Sequence, residues 1–189
     1  MEGGPAGLQQ ALGEVCEALR QDAQGSDLGG GWSVPVTIRT HWGDQFEVRA
    51  RTARNLIGAL GIEEAMYPVA EVDADGRALH GEHRYELYFP PAGAPQVDAF
   101  WSLTMYRKSD CLLVDNPIDR YSIGDRTKGL HWDADGGLRI AIQHDAPSGD
   151  EANWLPAPRE PFYLTLRLYQ PRQAHLDFSF PYPPLRRLD

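Results

Sequence analysis

The sequence is poor in cysteine, which excludes a fold that depends on several disulfides. Only Cys16 and Cys111 occur among 189 residues, whereas small secreted scaffolds usually carry more. Cys16 falls in a helical pattern and Cys111 begins an apolar run, so both thiols are predicted to be buried and reduced. A chain of this length can bury enough apolar surface to fold as one domain without such cross-links.

Positive charge is also scarce. Lys and Arg number 18 against 27 Asp and Glu, for a net charge of −9. Binding to nucleic acid depends on clustered Lys and Arg that displace counterions, so this balance argues against that partner. No apolar run is long enough to span a bilayer, and the first residues, MEGGPAGLQQ, lack the basic and apolar regions of a signal peptide. The sequence therefore predicts a cytoplasmic protein that binds neither nucleic acid nor membranes.

Several motifs with an established chemistry are missing from the sequence. There is no GxGxxG loop or GxxxxGKS/T loop to hold a nucleotide, and no GxSxG elbow for a nucleophilic serine. Among the six histidines, His80 and His83 are three residues apart, which places them on opposite faces of a strand. A jelly-roll metal site would need two histidines two residues apart on one strand. We therefore expect neither a metal ion nor a cofactor.

One short motif, DADG, occurs at 73–76 and again at 133–136. Asp at alternate positions before Gly opens a calcium-binding loop, whose twelfth position supplies a bidentate carboxylate. That position is Arg84 for the first copy and His144 for the second, and neither side chain is a carboxylate. Both copies are therefore predicted to form Asp-Gly turns.

The first third of the sequence contains the helical patterns. Gly7–Gln21 predicts an amphipathic helix outside the β domain, and Ala50–Leu60 predicts a second helix that ends at Gly61. Gln21–Gly31 is rich in Gly and predicts a flexible connection. The chain is thus divided into residues 1–31, an N-terminal helix with its connection, and residues 32–189, a β domain. The apolar residues of the first helix are Leu8, Leu12, Val15, Cys16 and Leu19.

From Trp32 onward, alternation of apolar and polar residues predicts β-strands. Two early strands are expected, over Trp32–Arg39 and around Phe46 and Val48. Because helices lead and strands follow, the order favours a mainly β or α+β fold over βαβ winding. The later predicted strands are Tyr85–Phe89, Ala99–Tyr106, Leu112–Val114, Leu138–Gln143 and Phe162–Tyr169.

Five blocks in the second half of the sequence resemble one family in their order and spacing. They are FWSLTMY at 100–106, VDNPIDRYSIGDRT at 114–127, QHD at 143–145, NWLPAP at 153–158 and PFYLTLRLYQP at 161–171. Together with Glu64–Phe89 they resemble domain of unknown function 1214. The resemblance implies a jelly-roll-like antiparallel β-sandwich with an interior-facing pocket. Many relatives carry a further domain, of unknown function 1254, ahead of this one. The similarity fades before His41, so we expect this chain to lack that companion.

The strand predicted over Phe162–Tyr169 carries the most informative side chains. Its apolar residues form a core face, and its other face presents Tyr163, Thr165, Arg167 and Tyr169. An Arg between two Tyr is suited to bind a planar or anionic group, because the guanidinium offers a fixed fork of donors and the rings exclude water. The alternative is a solvated face, since aromatic and β-branched residues favour strands in any case.

Residues elsewhere complete the predicted substrate site. Trp101 and Trp154 are predicted to line its cavity. Alternatively, Trp154 packs into the hydrophobic core. Asn116 and Arg120 add polar groups from a loop, unless their side chains hydrogen-bond within that loop, for example Arg120 to Asp125.

Three residues are the candidates for catalysis at this site. Arg167 binds a polar end of the substrate beside Tyr163, and His144 or Tyr106 transfers a proton. His144 falls on the same strand face as the apolar Leu138, Ile140 and Ile142, so if it lines the pocket it is the one histidine placed to act as an acid or base. The alternative for His144 is a histidine with satisfied hydrogen bonds at the core or its rim.

These residues predict a protein with a pocket for a small molecule. We expect a cofactor-independent, non-redox enzyme of a specialised pathway, a cyclase, isomerase or hydrolase that acts by shape and by placing polar groups. Two alternatives stay open: a module that binds a sugar or lipid-like ligand without chemistry, and an interaction protein whose aromatic face forms a homo-oligomer. The enzyme predicts an enclosed pocket, the module an open aromatic groove, and the interaction protein a flat apolar patch.

Overall fold

The computed structural model describes residues 5–20, 25–34, 41–56, 58–149 and 151–189. Over these residues the chain is mainly β, with two sheets arranged as a sandwich and three helices. None of these helices is long and apolar enough to cross a membrane. The helices are α1 (Pro5–Arg20), α2 (Phe46–Asn55) and α3 (Gln173–Leu176). The strands are β1 (Ser26–Gly29), β2 (Trp32–Val34), β3 (Ala65–Met66), β4 (Val69–Ala70), β5 (Tyr85–Phe89), β6 (Val97–Arg107), β7 (Ser122–Gly124), β8 (Leu138–Gln143), β9 (Trp154–Pro156), β10 (Phe162–Pro171) and β11 (Leu185–Arg187).

The larger sheet is built around its two longest strands. Six of its seven strands follow the order β1-β2-β4-β10-β6-β7, and the seventh, β3, pairs with β10 on the same side as β4. The central pair, β10 and β6, is antiparallel over almost its whole length. The smaller sheet has four strands in the order β11-β5-β8-β9, and its β8–β9 pair is parallel.

The core lies between the inner faces of the two sheets. The inward residues of β10 are Phe162, Leu164, Leu166 and Leu168, each at most 1% exposed. Rings meet across the sandwich: Phe162 lies 5.8 Å from Tyr85, and Trp101 lies 5.5 Å from Phe89. Since burying one large apolar side chain contributes roughly 1.5–3 kcal/mol, this layer fixes which face of each strand is turned outward. The predicted sandwich and the predicted core face of β10 are confirmed.

Both DADG segments form turns, as predicted. The Asp73 carboxylate is 1% exposed and accepts hydrogen bonds from the backbone of Asp75 and from the backbone and side chain of Arg77. Burial acts to raise the pKa of Asp73, but these hydrogen bonds outweigh it and lower the pKa below its usual value. Gly76 and Gly136 close the two turns at positive φ, 79° and 86°.

The strand predicted around Phe46 and Val48 is wrong, because α2 begins at Phe46. The helix also ends at Asn55 rather than at Leu60. Glu47 and Arg51, one helical turn apart, form an ion pair at 2.6 Å, an arrangement that favours helix over strand. Phe46 and Val48 alone form too short an alternating pattern to favour a strand over a helix that this ion pair stabilises.

Two further segments differ from the sequence-based expectation. The Gly-rich connection contains β1, which pairs with β2 at the edge of the larger sheet, while residues 21–24 lie outside the described residues. Trp32–Val34 confirms the start of the strand predicted over Trp32–Arg39, and residues 35–40 also lie outside the described residues. Leu112–Val114 is not a strand: Leu113 makes a single bridge to Tyr106.

The prediction that both cysteines are buried is wrong. Cys16 and Cys111 are exposed, and both are free. Cys111 has a φ of 60° and lies in a tight connection, so the apolar run that follows it turns outward. Leu112 and Leu113 are accordingly 59% and 45% exposed.

A buried histidine holds the C-terminal segment against the sandwich. His175 of α3 is fully buried, and its Nε2 accepts a hydrogen bond from the backbone N–H of Gln96 at 3.1 Å. Nδ1 therefore carries the proton and donates it to the Tyr182 hydroxyl at 2.7 Å. That hydroxyl in turn donates to the sulfur of Met66 at 3.8 Å. Burial lowers the pKa of His175 to about 4, so the folded protein keeps this imidazole neutral.

Candidate functional site

The outer face of the larger sheet, turned away from the core, carries polar and aromatic side chains. Because β10 and β6 are antiparallel and in register, directly paired residues lie on the same face. Four such pairs follow one another on the outer face, and we call these eight residues the arginine face. They are Tyr163–Tyr106, Thr165–Thr104, Arg167–Ser102 and Tyr169–Phe100.

Stacked rings close both ends of the arginine face. The rings of Tyr106 and Tyr163 lie 5.3 Å apart at an interplanar angle of 18°, and those of Phe100 and Tyr169 lie 4.3 Å apart at the same angle. The Arg126 guanidinium lies over Phe100, 3.8 Å from its ring centre. Aromatic pairs of this kind contribute about 0.5–1.5 kcal/mol beyond the area they bury. The rings are thus held in place before any ligand arrives.

Arg167 places a positive charge in the middle of this face. Its Nη2 donates a hydrogen bond to the Tyr106 hydroxyl at 2.5 Å, and the side chain is half-buried. Among the residues that the structure describes, no carboxylate lies within 4.0 Å of its guanidinium. Arg77 and Arg107, by contrast, each hold a carboxylate at under 3 Å. The remaining N–H groups of Arg167 are therefore available to an external anion.

The middle of the arginine face, between the Tyr106–Tyr163 stack and Arg167, is buried. Thr104 and Thr165 lie there and are only 7% and 8% exposed. The strand register puts Tyr106 four residues along β6 from Ser102, which pairs with Arg167. A hydrogen bond between Tyr106 and Arg167 therefore requires their side chains to extend over the threonine pair. The guanidinium is held against the sheet rather than extended into solvent.

Neighbouring phenols keep their protons. Tyr67 lies between β3 and β4, which both pair with β10, so it borders Arg167. Burial raises the pKa of Tyr67, and Tyr169 raises it further while Arg167 acts to lower it. Burial also raises the pKa of Tyr163, and a hydrogen bond with the Cys111 thiol adds to the effect. Both hydroxyls lie close enough to Arg167 to interact with its charge, and both stay protonated.

The structure brings together three of the predicted site residues: Tyr106, Tyr163 and Arg167. Trp101 pairs with Leu168 on the inner face and is 3% exposed. Trp154 belongs to β9 of the smaller sheet, is 2% exposed, and donates its indole N–H to the Gln143 carbonyl at 2.9 Å. Neither tryptophan lies on the same surface as Arg167. The two tryptophans therefore do not line a cavity together with Arg167, contrary to the prediction from the sequence.

Asn116 and Arg120 use their polar groups within the loops. Asn116 donates to the carbonyls of Val114 and Arg120, both at 3.0 Å, and accepts from the Arg120 N–H at 2.9 Å. Arg120 Nη1 lies 2.6–2.9 Å from three carbonyl oxygens, those of Glu151, Ala152 and Trp154. These contacts match the alternative in which both side chains hydrogen-bond within the loops. The partners of the Arg120 side chain are backbone carbonyls, not Asp125.

His144 follows β8 of the smaller sheet and finds its partners there. Its Nδ1 lies 2.8 Å from the Ala157 carbonyl, and its Nε2 lies 4.0 Å from the Asp145 carboxylate. The side chain is 36% exposed, which matches a histidine at the rim of the core. Of the two predicted proton-transfer residues, Tyr106 is the one that lies on the arginine face.

Three residues at or beside the arginine face were not predicted: Tyr67, Phe100 and Arg126. Phe100 could have been found, because alternation in FWSLTMY puts it on the same face as Tyr106. Tyr67 and Arg126 carry no comparable local signal, since each adjoins a strand of only two or three residues. Their positions follow from pairing with β10 and β6, which a single sequence does not reveal.

A glycine-lined groove at the edge of the larger sheet was also not predicted. It lies between β1, β2 and the 73–76 turn and has a volume of about 720 Å³. Gly31 has a φ of 94°, and a Cβ there would lie 2.4 Å from the Val72 carbonyl, so no larger residue fits. Its charged lining residues include Asp27 and Glu71. This acidic lining is unsuited to a bound anion.

The segment that contains the arginine face matches a known protein family. The model of a family described as "Protein of unknown function (DUF1214)" matches residues 64–173, which is more than half of the chain. Every residue of the arginine face, together with Tyr67 and Arg126, lies within that match. No curated protein matches the chain.

Two solved structures are similar to the chain over its length. The VPA0106 protein from Vibrio parahaemolyticus is 25% identical, with a TM-score of 0.72, over 100% of this chain and 47% of that one. An uncharacterised protein from Burkholderia cenocepacia is 14% identical, with a TM-score of 0.47, over 99% of this chain and 42% of that one. The chain therefore spans less than half the length of either protein.

Proposed function

This chain belongs to the DUF1214 family, and we propose that the arginine face, which lies within the family segment, binds a small organic anion with a flat apolar body. The observation that carries the proposal is Arg167, a half-buried guanidinium in a chain of net charge −9, with no carboxylate at ion-pair distance among the described residues. A half-buried cation without a counter-ion is costly, and a bound anion removes that cost.

The surroundings of Arg167 determine the shape of the ligand. The Tyr106–Tyr163 and Phe100–Tyr169 stacks offer flat apolar surface on two sides of the guanidinium. Such surface favours a planar body, and the planar guanidinium favours a carboxylate or similar group that accepts two parallel hydrogen bonds. This open aromatic surface supports a binding module more than a closed enzymatic pocket. The free, exposed thiols suit a reducing compartment such as the cytoplasm.

Three probes that share one ring system test the proposal. We expect naphthalene-2-carboxylate to bind at least about tenfold more tightly than neutral 2-naphthalenemethanol, because a charge-assisted hydrogen bond contributes about 1.5–3 kcal/mol. The cation 2-naphthylmethylammonium should bind most weakly. Isothermal titration calorimetry at low and high salt measures all three, and the preference for the carboxylate should weaken as salt screens the charge. Equal affinity for the three probes would contradict an anion site.

Catalysis is a second candidate function, and one observation favours it. Arg167 donates to the Tyr106 oxygen at 2.5 Å, which leaves the phenolic proton of Tyr106 free to be given to a bound substrate. Such a phenol can donate its proton to an oxyanion that develops on the substrate. A cyclase, isomerase or hydrolase without cofactor could use such a donor.

Two matched tyrosine variants test the catalytic candidate. The wild-type protein is incubated with a metabolite extract, and the compounds that it consumes are followed by mass spectrometry. Tyr106→Phe should slow the consumption of such a compound by about 100-fold, the usual contribution of a general acid. Tyr163→Phe, which leaves the Arg167 contact in place, should remain active. Unchanged turnover in Tyr106→Phe would exclude this role.

A further inference from the structure

Helix α1 exposes an apolar stripe that the other described residues leave uncovered. Leu8, Leu12 and Val15 are 64%, 56% and 55% exposed, and every residue from Gly7 to Ala18 is exposed. Most helices in proteins gain their stability from packing one apolar face rather than from helix propensity. The exposed stripe therefore indicates a surface that is covered by a partner.

The spacing of the stripe identifies the shape of that partner. The three exposed residues are followed by the half-buried Leu19. These four residues are separated by four, three and four positions, which is the spacing of the a and d positions of a coiled coil. Such a seam packs against another helix of the same period. The order four-three-four also reads the same in both directions, so the seam is complementary to an antiparallel copy of itself.

The residues beside the seam favour a second copy of this chain. The flanking positions are held by Gln9 and Cys16 on one side and by Ala11 and Ala18 on the other, and none of them is charged. Two copies of an acidic chain would repel each other if Glu lay there. Glu14 and Glu17 fall instead at positions turned away from the seam. The two alanines allow the helix axes to approach closely.

We propose that α1 pairs with α1 of a second copy in an antiparallel two-helix interface. Leu12 of one copy then packs against Val15 of the other, and Leu8 packs against Leu19. At the flanks, Gln9 of one copy lies beside Cys16 of the other, and Ala11 lies beside Ala18.

The seam is about 24 Å long at most, which gives a smaller interface than stable complexes usually have. We therefore expect the dimer to dissociate in the micromolar range, roughly 1–100 µM. The dimer does not depend on the arginine face, because α1 lies outside residues 64–173.

Sedimentation equilibrium on the full chain tests this dimer. Leu12→Lys should raise the dissociation constant at least about tenfold, because it buries a charge in each half of the seam. Gln10→Lys is the matched control: it makes the same change in side-chain charge on the opposite side of α1, and its dissociation constant should stay within about twofold. Both variants make the net charge less negative, so weaker association of Leu12→Lys alone cannot come from general repulsion. A wild-type chain that stays monomeric to several hundred micromolar overturns the proposal and assigns the stripe to a different apolar partner.

Cysteine cross-linking tests the direction of pairing and does not depend on how well Leu12→Lys folds. In a Cys111→Ser background, Gln9→Cys should give a rapid disulfide-linked dimer under mild oxidation, since positions 9 and 16 adjoin in the antiparallel pair. Ala11→Cys should cross-link slowly, because position 11 adjoins position 16 only in a parallel pair. Faster cross-linking of Ala11→Cys, or equal slow rates for both variants, contradicts the antiparallel interface.

Discussion

Arg167→Met is expected to lower the affinity for naphthalene-2-carboxylate about 100-fold while leaving the fold intact. The substitution removes two charge-assisted hydrogen bonds to the carboxylate, and each contributes about 1.5–3 kcal/mol before non-additivity reduces the sum. Stability should change by no more than about 1 kcal/mol, because among the described residues the Arg167 side chain pairs with no carboxylate and hydrogen-bonds with the half-exposed Tyr106 hydroxyl alone. Isothermal titration calorimetry and urea unfolding provide the two measurements.

Arg139→Met is the matched control for this variant. Arg139 also lies over a tyrosine, 4.1 Å from the Tyr88 ring, but it belongs to the smaller sheet and is paired with Glu86 and Asp133. Its removal should leave affinity for the probe unchanged within about twofold. Arg167→Lys should bind at an intermediate strength, because it keeps the charge but loses the planar fork. If Arg167→Met unfolds, Arg167 is a structural residue; if it folds and binds normally, the assignment of the site is wrong.

The stability of the protein is expected to fall by about 3 kcal/mol between pH 7 and pH 4 through His175 alone. Burial lowers the folded-state pKa of His175 to about 4, from the usual 6.5. Between these two values the unfolded chain binds a proton that the folded protein does not. The free energy of unfolding therefore decreases as the pH falls through this window, and it is unaffected by His175 above about pH 7.

Comparison with His175→Gln isolates this effect from other titrating groups. At pH 7 the variant should be less stable than the wild type by about 1–3 kcal/mol, since it disturbs the bonds to Gln96 and Tyr182. The difference between the two proteins should then shrink as the pH is lowered, because only the wild type suffers from protonation of the unfolded imidazole. Carboxyl groups with lowered pKa, such as Asp73, affect both proteins equally. A difference that is constant from pH 7 to pH 4.5 would show that His175 is not held neutral.

Alternation within long strands made much of the fold predictable. The β5, β8 and β10 strands were predicted within two residues of their ends, because each has an apolar residue at every second position that the core requires. The helix at Phe46 was missed because its decisive signal is the Glu47–Arg51 ion pair, which spans one helical turn. The exposure of Cys111 was missed because a tight connection turns an apolar run outward.

The site was only partly predictable, because a single sequence does not contain the register between strands. Alternation placed Tyr163 and Arg167 on one face of β10, and Trp101 on a face of β6 opposite to that of Tyr106. It could not show that Trp101 pairs with the inward Leu168 while Tyr106 pairs with the outward Tyr163. Phe100, by contrast, follows from alternation alone, since it shares a face of β6 with Tyr106. Pairing with β3 and β4 brings in Tyr67, which has no signal of its own.

A crystal structure of the protein with naphthalene-2-carboxylate tests the central claim most directly. We expect the carboxylate on the free N–H groups of Arg167, at about 2.7–2.9 Å, with the naphthalene ring against the Tyr106–Tyr163 or the Phe100–Tyr169 stack. The same crystals with 2-naphthalenemethanol should leave this face empty. A naphthalene ring that binds in the glycine-lined groove beside β1, or a carboxylate that makes no contact with Arg167, would contradict the account.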